Sequence, residues 1–300
     1  MDLRQIRYFV AVADARSFTR AAEKLHIAQP PLSRQIQLLE SELGVQLLQR
    51  NSRPLQITAA GRVFYEQALQ VLHRVEQMKA ATIQVGKGQS ERLSIGFVAS
   101  TLYGELPMLT RKLRQAYPEV DLQLIELTTM QQIDALKTGR IDIGFGRVRS
   151  NDRSVSRIVL REEKLVLALP PHHELASETG PAPLAIVKGQ PLIVYPKEPR
   201  PSFADQVLNL LHDRGIHPGE IHEMRELQAA LGLVAADVGL CLIPAAAKFR
   251  SDLVYRPITD ERATSPVILS HRANDTSWYL EATLRLTREL YAENPPWLNG

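Results

Sequence analysis

The sequence predicts an α+β protein built from two parts, and three observations carry that prediction. Apolar residues recur at helical spacing through most of the first 86 residues, with one short alternating stretch between them. After Glu91 the pattern changes to short apolar strands that alternate with helices, which is typical of an α/β domain. The segment from Gly86 to Ser90 separates the two patterns, and its composition predicts a hinge.

Composition limits the class of protein. The chain has 300 residues, 44% of them hydrophobic, which indicates a folded protein with room for more than one domain. It has no apolar run of about 18 residues that would predict a membrane span. The N-terminus begins with charged Asp2 and Arg4 rather than a secretory signal, so we expect a cytoplasmic protein. The single cysteine, Cys241, lies in the apolar run VGLCLIP and predicts a buried structural thiol.

The N-terminal part predicts three short helices. The first extends from Leu3 to Ala13, and the second has Thr19 as its expected N-cap. A tight turn at residues 26–29 leads into a third helix that starts near Pro30, where a missing backbone N–H is tolerated. One buried stripe is predicted on that third helix, formed by Leu32, Ile36, Leu39 and Leu43. Gly44 is the expected end of the helix.

The remaining faces of the third helix carry side chains suited to DNA. They are Gln29, Ser33, Arg34, Gln35 and Gln37, types that hydrogen-bond base edges and phosphates in a major groove. Residues Val45 to Thr58 then predict a short hairpin with Arg50 and Arg53 near its tip. Residues 1–90 hold 12 Lys and Arg against 7 Asp and Glu, whereas residues 91–300 hold 24 against 26, so positive charge accompanies the suspected DNA reader. Ordinary amphipathic helices and a solvated basic loop are the alternative interpretation.

A family resemblance favours the DNA-binding interpretation. Within Leu3 to Thr58, the stretch FTRAAEKLHIAQPPLSRQIQLLESELGVQLLQR and a terminal ITAAG resemble the winged helix-turn-helix of LysR-type transcriptional regulators without a gap. The resemblance implies a DNA-binding domain at residues 1–58, with the hairpin as its wing and promoter DNA as its partner. The predicted DNA-contacting residues are Gln29, Pro30, Pro31, Ser33, Arg34, Gln37, Arg50 and Arg53.

A long helix is predicted after the hairpin, with Thr58 as its cap. Its apolar residues follow the four-three spacing of a heptad seam: Phe64, Ala68, Val71, Val75, Met78 and Thr82. Packing against its own domain is the competing interpretation of this seam. In the resembled family this helix is the dimerising linker, which implies a linker at residues 59–90 and a homodimer or homotetramer, with RNA polymerase as a further candidate partner.

The C-terminal part predicts two sets of strands and helices, and hence two lobes. Strands are expected at residues 93–98, 120–126, 141–145, 165–169, 191–195 and 239–243, with helices at 102–116, 130–137, 203–214, 227–236 and 277–291. The resemblance implies a periplasmic-binding-protein-like effector domain at residues 91–300. Its first lobe is expected at about 91–163 and 267–300, and its second at about 164–266.

Three places after predicted strands combine a hydroxyl with a helix N-terminus. They are Ser100-Thr101, Thr128-Thr129 and Ser202-Phe203, and such groups converging from two lobes favour a small anion with a carboxylate at each end. Arg147 or Arg149 could supply fixed positive charge. For each hydroxyl alone, a simple N-cap is the competing interpretation.

The C-terminal segments refine the resemblance. GFVASTLYGELP, ELTTMQQIDALKTGRIDIGFGR, YPKEPRPSFADQVL and LQAALGLVAADVGLCLIPA resemble the branch that regulates catechol and benzoate breakdown, whose members respond to muconate or a chlorinated relative. The resemblance implies Ser100, Thr129, Pro201 and Phe203 as effector positions, with Arg147 near the cleft. Together with the hydroxyl sites, the predicted effector residues are Ser100, Thr101, Thr129, Arg147, Pro201, Ser202 and Phe203. Arg149 departs from the lysine of some members. Arg161 matches the arginine of a second, apolar site for benzoate found in some members, and whether this chain has that site stays open.

Nothing in the sequence favours an enzyme. The nucleophile, phosphate-loop and metalloprotease motifs G-x-S-x-G, G-x-x-x-x-G-K-[ST] and H-E-x-x-H do not occur. No metal or cofactor is predicted. The expected function is therefore a DNA-binding transcriptional regulator controlled by a small carboxylate. The alternatives are the same kind of regulator with a different acid, or a solute-binding protein or enzyme.

Overall fold

The computed structural model describes residues 1–49, 52, 54–86, 91–178 and 180–298. The chain forms two compact units. The first consists of Met1–Glu91 with Lys137–Gly139, and the second of Arg92–Leu136 with Arg140–Gly300. Among the described residues, every helix is too short or too polar to cross a membrane.

The first unit is helical with one small hairpin. Its helices are α1 (Leu3–Ala15), α2 (Phe18–Lys24), α3 (Gln29–Leu43) and α4 (Ala59–Gly86), and its strands β1 (Leu48–Gln49) and β2 (Gln56–Ile57) pair antiparallel. Ile6, Phe9, Leu32, Ile36 and Leu39 are among the side chains that form the core of this unit. The predicted helices, turn and hairpin are all present, so sequence periodicity was sufficient to locate them.

Two local predictions in this unit were wrong. The N-cap of α2 is Ser17, whose Oγ accepts a hydrogen bond from the Arg20 N–H at 3.4 Å, and Thr19 is the second residue of the helix itself. Leu43 is 38% exposed, and Glu40 takes its place on the buried face of α3. Gly44 does end α3, with φ at +68°, a conformation that favours glycine.

The two interpretations of the α4 seam apply to different halves of the helix. Phe64 packs edge-on against Phe9 of α1, with ring centroids 5.1 Å apart, and Ala68 is buried. Further along, Val71 is 43% and Met78 63% exposed. The first turns of α4 therefore belong to the core of the unit, whereas the later seam residues present apolar surface. Of the hinge predicted from Gly86 to Ser90, Gly86 is the last residue of α4, and residues 87–90 lie outside the described residues.

The second unit contains one extended sheet. Its strands are β3 (Arg92–Phe97), β4 (Asp121–Glu126), β5 (Ile143–Gly146), β6 (Val155–Leu169), β7 (Leu192–Val194), β8 (Ile221–Glu223), β9 (Leu240–Pro244), β10 (Val254–Pro257) and β11 (Thr264–Arg272). The strand order is β4-β3-β5-β11-β6-β9-β7-β8, with β10 on β6. β3 is parallel to β4 and β5, and β7 is parallel to β8 and β9, so each end of the sheet has the predicted α/β character.

The middle of the sheet differs from the prediction because it is antiparallel. β6 pairs with β11 up to Lys164 and then with β9 and β10 from Leu165 onward, so one strand serves both ends of the sheet. β8, β10 and β11 were not predicted as strands, and the first part of β6 was missed.

Helices cover both ends of the sheet. They are α5 (Glu105–Ala116), α6 (Thr129–Lys137), α7 (Phe203–His212), α8 (Leu227–Ala235) and α9 (Trp278–Ala292). The helix predicted from Leu102 is divided into a 3₁₀ turn, Ala99–Tyr103, and α5. α9 packs on α5, in the first lobe as expected. One hydrophobic core contains residues of β3 and α5 together with three leucines of α9, Leu280, Leu286 and Leu290. Cys241 is buried, and burial raises the pKa of its thiol.

Candidate functional site

A cavity of about 670 Å³ opens where the parallel strands of the second unit end. Its walls come from the segments that follow β3, β4, β5 and β7 and from the start of α8. The lining residues are Val98, Ala99, Ser100, Leu102, Tyr103, Glu126, Leu127, Thr128, Thr129, Gln131, Arg147, Val148, Tyr195, Pro196, Pro199, Pro201, Ser202, Phe203, Arg225, Glu226, Leu227 and Gln228. A cleft of this size beyond the carboxyl ends of strands is the usual place for a small ligand.

Six of the seven predicted effector residues line this cavity: Ser100, Thr129, Arg147, Pro201, Ser202 and Phe203. Thr101 does not. Its side chain is fully buried, and its hydroxyl donates to the Val98 carbonyl at 2.8 Å, which closes the 3₁₀ turn. The Thr101 hydroxyl therefore serves as a local cap, which is the alternative that the sequence left open for each hydroxyl.

The N-terminus of α6 is held against the sheet by close packing. Gln132 donates from Nε2 to the carbonyls of Leu127 and Phe145, at 2.9 and 3.0 Å. A Cβ on Gly146 would lie 2.8 Å from the Thr129 hydroxyl, so only glycine lets α6 approach so closely. The Thr129 Oγ1 accepts the Arg147 N–H at 3.2 Å. These contacts fix Thr129 at the inner end of the cavity.

Arg147 is engaged by protein groups on two sides. Its Nε donates to the Ser100 Oγ at 2.7 Å, and its Nη2 lies 2.6 Å from Glu163 Oε2. Arg147 and Glu163 side chains are 4% and 2% exposed, so the pair is fully desolvated. Nη1 is buried and has no hydrogen-bond partner among the described residues. Arg149 lies elsewhere: it is exposed and pairs with Glu162.

Glu163 belongs to a larger buried charge network. Its second oxygen, Oε1, accepts the Ala246 N–H at 2.7 Å, and Oε2 also lies 3.2 Å from Arg161. Arg161 in turn contacts Glu105 at 3.2 Å and lies over the Trp297 ring at 5.3 Å. Burial outweighs the neighbouring guanidinium groups and raises the pKa of Glu105. The arginine matched to a second ligand site is thus already paired with protein carboxylates.

The opposite wall is built around the start of α7. The Ser202 N–H donates to Asp205 Oδ2 at 2.6 Å, which caps the helix, and the Ser202 hydroxyl donates to the Pro196 carbonyl at 2.8 Å. Phe203 packs against Tyr195 with ring centroids 5.3 Å apart. Burial raises the pKa of Tyr195 well above its ordinary value, so its hydroxyl stays neutral. This wall offers aromatic surface beside a helix N-terminus.

The N-terminus of α8 also lies at the cavity, and the sequence did not predict it as part of the site. Arg225, Glu226 and Gln228 line the cavity there, and the Gln228 Nε2 donates to the Tyr103 hydroxyl at 3.2 Å. Tyr103 is also stacked on Phe249, with ring centroids 4.8 Å apart. Each of the three predicted sites has a hydroxyl residue before a helix, and α8 has none. The charged pair Arg225-Glu226 before an apolar helix was the available signal.

The geometry of α3 suits a DNA reader. Gln29, Pro30, Pro31, Arg34 and Gln37 are exposed and Ser33 is half-buried, on the faces that Leu32, Ile36 and Leu39 leave free. Gln35 accepts a hydrogen bond from the Gln5 side chain at 3.3 Å, which ties it to α1. Arg50 and Arg53, predicted at the tip of the hairpin, lie outside the described residues.

Comparison with protein families decides the class of the chain. A model described as "Bacterial regulatory helix-turn-helix protein, lysR family" matches residues 3–62, and one described as "LysR substrate binding domain" matches residues 86–292. The chain belongs to the LysR family. It is a DNA-binding transcriptional regulator with an N-terminal helix-turn-helix and a two-lobed α/β ligand-binding domain, and the predicted fold class and family are confirmed.

Relatives of this LysR chain match it from end to end. It is 63% identical over 300 residues to a probable cat1 operon transcriptional activator of Acinetobacter lwoffii, covering 100% of this chain and 99% of that one. It is 42% identical over 306 residues to the regulator BenM of Acinetobacter baylyi, covering 99% and 100%.

Two solved structures of LysR regulators are also similar. The BenM effector-binding domain with its effector benzoate has 36% identity and a TM-score of 0.65, over 69% of this chain and 97% of that one. Full-length CbnR in complex with its target DNA has 30% identity and a TM-score of 0.63, over 96% and 99%.

Proposed function

We propose that the cavity of this LysR regulator binds a small carboxylate of the muconate type and that binding controls its action on promoter DNA. The observation that carries the proposal is the convergence of Ser100, Thr129 and Ser202 on one cavity together with the N-termini of α6 and α7. Free N–H groups at helix N-termini favour an anion. Ser100 and Thr129 follow β3 and β4 at one end of the sheet, and Ser202 follows β7 at the other end, so together they suit an acid with a carboxylate at each end.

The cavity walls fit a flat unsaturated acid. Leu102, Val148, Tyr195, Phe203 and Leu227 provide apolar and aromatic surface between the polar ends. Apolar walls with a few placed polar groups are typical of small-molecule sites. The names of relatives support the assignment, because one is a probable cat1 operon activator and the effector domain of another was solved with benzoate.

The proposed mechanism is a shift between arrangements of the protein. The effector binds one arrangement of the two lobes better than another and thereby changes how the DNA readers of an oligomer meet the promoter. We assign residues 1–58 to the DNA reader, 59–90 to the linker, about 91–163 with 267–300 to the first lobe, and about 164–266 to the second. The exposed apolar residues of α4, Val71 and Met78, favour a dimer or tetramer. The protein then acts in the cytoplasm and does not turn its ligand over.

A thermal-shift titration of the full chain tests the ligand. A ligand that binds only the folded state at about 100 times its Kd stabilises by about 2.7 kcal/mol. For a domain of this size that corresponds to a rise of roughly 5 °C or more in Tm. We expect this rise with cis,cis-muconate and not with unrelated carboxylates, and we expect Thr129→Val to remove most of it. Arg149→Ala, an exposed arginine outside the cavity, is the matched control and should retain it.

Footprinting on promoter DNA tests the control. We expect an acid that raises Tm to change the protected region or the bend of the DNA. A shift with benzoate or another acid alone would change the effector assignment and leave the DNA-binding function intact. An unchanged footprint with every acid that binds would contradict the proposed coupling.

A further inference from the structure

A glutamate lies on the buried face of the DNA-reading helix. Glu40 of α3 is only 9% exposed, and a carboxylate at such a position needs hydrogen-bond donors to compensate for the lost water. Its Oε1 accepts two backbone N–H groups, from Leu47 at 2.9 Å and from Leu48 at 3.1 Å. Hydrogen bonds to an ionised group are among the stronger ones in proteins. Glu40 therefore ties the end of the DNA-reading helix to the first strand of the hairpin.

A second set of contacts ties the same strand to α4. The Thr58 hydroxyl donates to the Gln46 carbonyl at 2.8 Å and accepts the Gly61 N–H at 2.9 Å. The Thr58 N–H donates to the Leu47 carbonyl at 3.0 Å. A Cβ on Gly61 would lie 2.1 Å from that same carbonyl oxygen, so the start of α4 packs directly on the strand. We call Glu40, Thr58, Gly61 and the backbone of 46–48 the hairpin clasp.

We infer that Glu40 and Thr58 are positioning residues for DNA binding, because the clasp fixes the hairpin to the DNA-reading helix so that both meet the duplex as one rigid body. Leu48 pairs with Ile57 in the hairpin, so fixing the Leu48 backbone fixes both strands. A binding surface that is ordered in advance loses less conformational entropy when it binds.

Charge alone makes the opposite prediction for Glu40. A carboxylate within the DNA reader repels phosphates, so its removal should tighten binding if its charge were all that mattered. If Glu40 positions the hairpin, its removal should weaken binding instead. The sign of the effect therefore separates the two explanations.

The test uses the full chain and a duplex that the wild-type protein selects from a random-sequence pool. Affinity is measured by fluorescence anisotropy over a range of salt concentrations, and folding is checked by circular dichroism. We expect Glu40→Ala to bind about tenfold more weakly, with a shallower salt dependence, because each lost phosphate contact lowers the slope by about 0.9. Glu40→Gln keeps the Oε1 acceptor and should bind within about threefold of wild type. Glu23→Ala, which removes an exposed carboxylate of α2, should bind at least as tightly as wild type.

Three results would overturn the inference. The first is a folded Glu40→Ala protein with wild-type affinity and salt dependence, and the second is tighter binding that matches Glu23→Ala. If Glu40→Ala does not fold, Thr58→Val decides the matter, because it removes both hydroxyl contacts from the other side of the clasp. A folded Thr58→Val protein with an unchanged salt slope is the third contradicting result, whereas a reduced slope supports the inference.

Discussion

Replacing Arg147 with methionine should destabilise the ligand-binding unit strongly, even without an effector. The substitution leaves Glu163, 2% exposed, with only Arg161 at 3.2 Å and the Ala246 N–H at 2.7 Å. It also leaves the Ser100 hydroxyl without its 2.7 Å donor. Breaking a buried ion pair by removing one partner costs about 3–5 kcal/mol. For a domain of this size, that loss corresponds to a Tm lower by roughly 10 °C.

Intrinsic tryptophan fluorescence measures this loss in the full chain. The sequence contains two tryptophans, Trp278 and Trp297, and both belong to the second unit. Their emission therefore reports the unfolding of that unit without a contribution from the DNA reader. A thermal or urea transition followed in this way gives the stability of the unit that contains the ion pair.

Arg149→Met is the matched control. It removes the same type of side chain from an ion pair with Glu162, but the two side chains are 62% and 42% exposed. Exposed pairs contribute roughly 0–1 kcal/mol, so the control should hardly move the transition. The double variant Arg147→Met with Glu163→Gln should lose less than the sum of the two single losses, by about 1–3 kcal/mol. A cost for Arg147→Met as small as that of the control, or strictly additive losses, would refute the reasoning.

Three further outcomes follow from single contacts. Gly61→Ala should destabilise the first unit and weaken DNA binding, because the new Cβ would lie 2.1 Å from the Leu47 carbonyl oxygen. This is the opposite of the usual effect, since Ala stabilises a helix interior by about 0.5–1 kcal/mol relative to Gly. Circular dichroism measures the stability, and fluorescence anisotropy measures the DNA binding. Burial raises the pKa of Glu105 above 4.5, so its protonated form contributes stability below about pH 4 that is lost as pH rises through the raised pKa. The Tm of wild type relative to Glu105→Gln should therefore fall as the pH rises above about 4. Gln206→Ala removes an Nε2 hydrogen bond to the Arg147 carbonyl at 2.5 Å and should lower the free energy of unfolding by about 1–3 kcal/mol, as measured by urea denaturation followed by tryptophan fluorescence.

The sequence predicted those elements whose formation is determined by residues close together in the chain. The third helix was located from its apolar spacing and its proline start, both of which are set within a few residues. Its buried face was harder to predict, because Glu40 and Leu43 project from neighbouring positions and spacing favours the leucine. The structure buries Glu40 because Leu47 and Leu48 offer it backbone donors. Those donors depend on where the chain turns after Gly44, which periodicity does not encode.

The missed strands have the same kind of cause. The first part of β6 reads VSRIVLREEK, and its polar residues hide a strand that is half-covered. It forms because β11 pairs with it over Val155 to Lys164, from a hundred residues further along the chain. Such pairing is set by tertiary contacts, so local propensity is a weak guide to it.

The sequence could not predict the carboxylate partner of Arg147 either, because that pairing also depends on tertiary contacts. Glu162 and Glu163 are adjacent in the sequence, and the register of β6 points Glu163 into the core and Glu162 to solvent. Successive residues of a strand face opposite sides, so a single register decides which carboxylate becomes the buried partner. Once β6 is placed, the pairing of Arg147 with Glu163 and of Arg149 with Glu162 follows.

That pairing changes where the attraction for an anion originates. The sequence suggested Arg147 as the source of fixed positive charge, but Glu163 lies 2.6 Å from it and offsets part of that charge, while Arg161 shares the same carboxylate. The N-termini of α6, α7 and α8 add to the field at the cavity, since each carries a partial positive charge. Arg147 also lines the cavity, and its Nη1 has no hydrogen-bond partner among the described residues. Arg225 adds a full charge at the exposed start of α8 and pairs with no carboxylate among the described residues. The proposed selectivity for an acid therefore draws on the strand-to-helix turns as well as on Arg147, which also holds Ser100 and Glu163 in place.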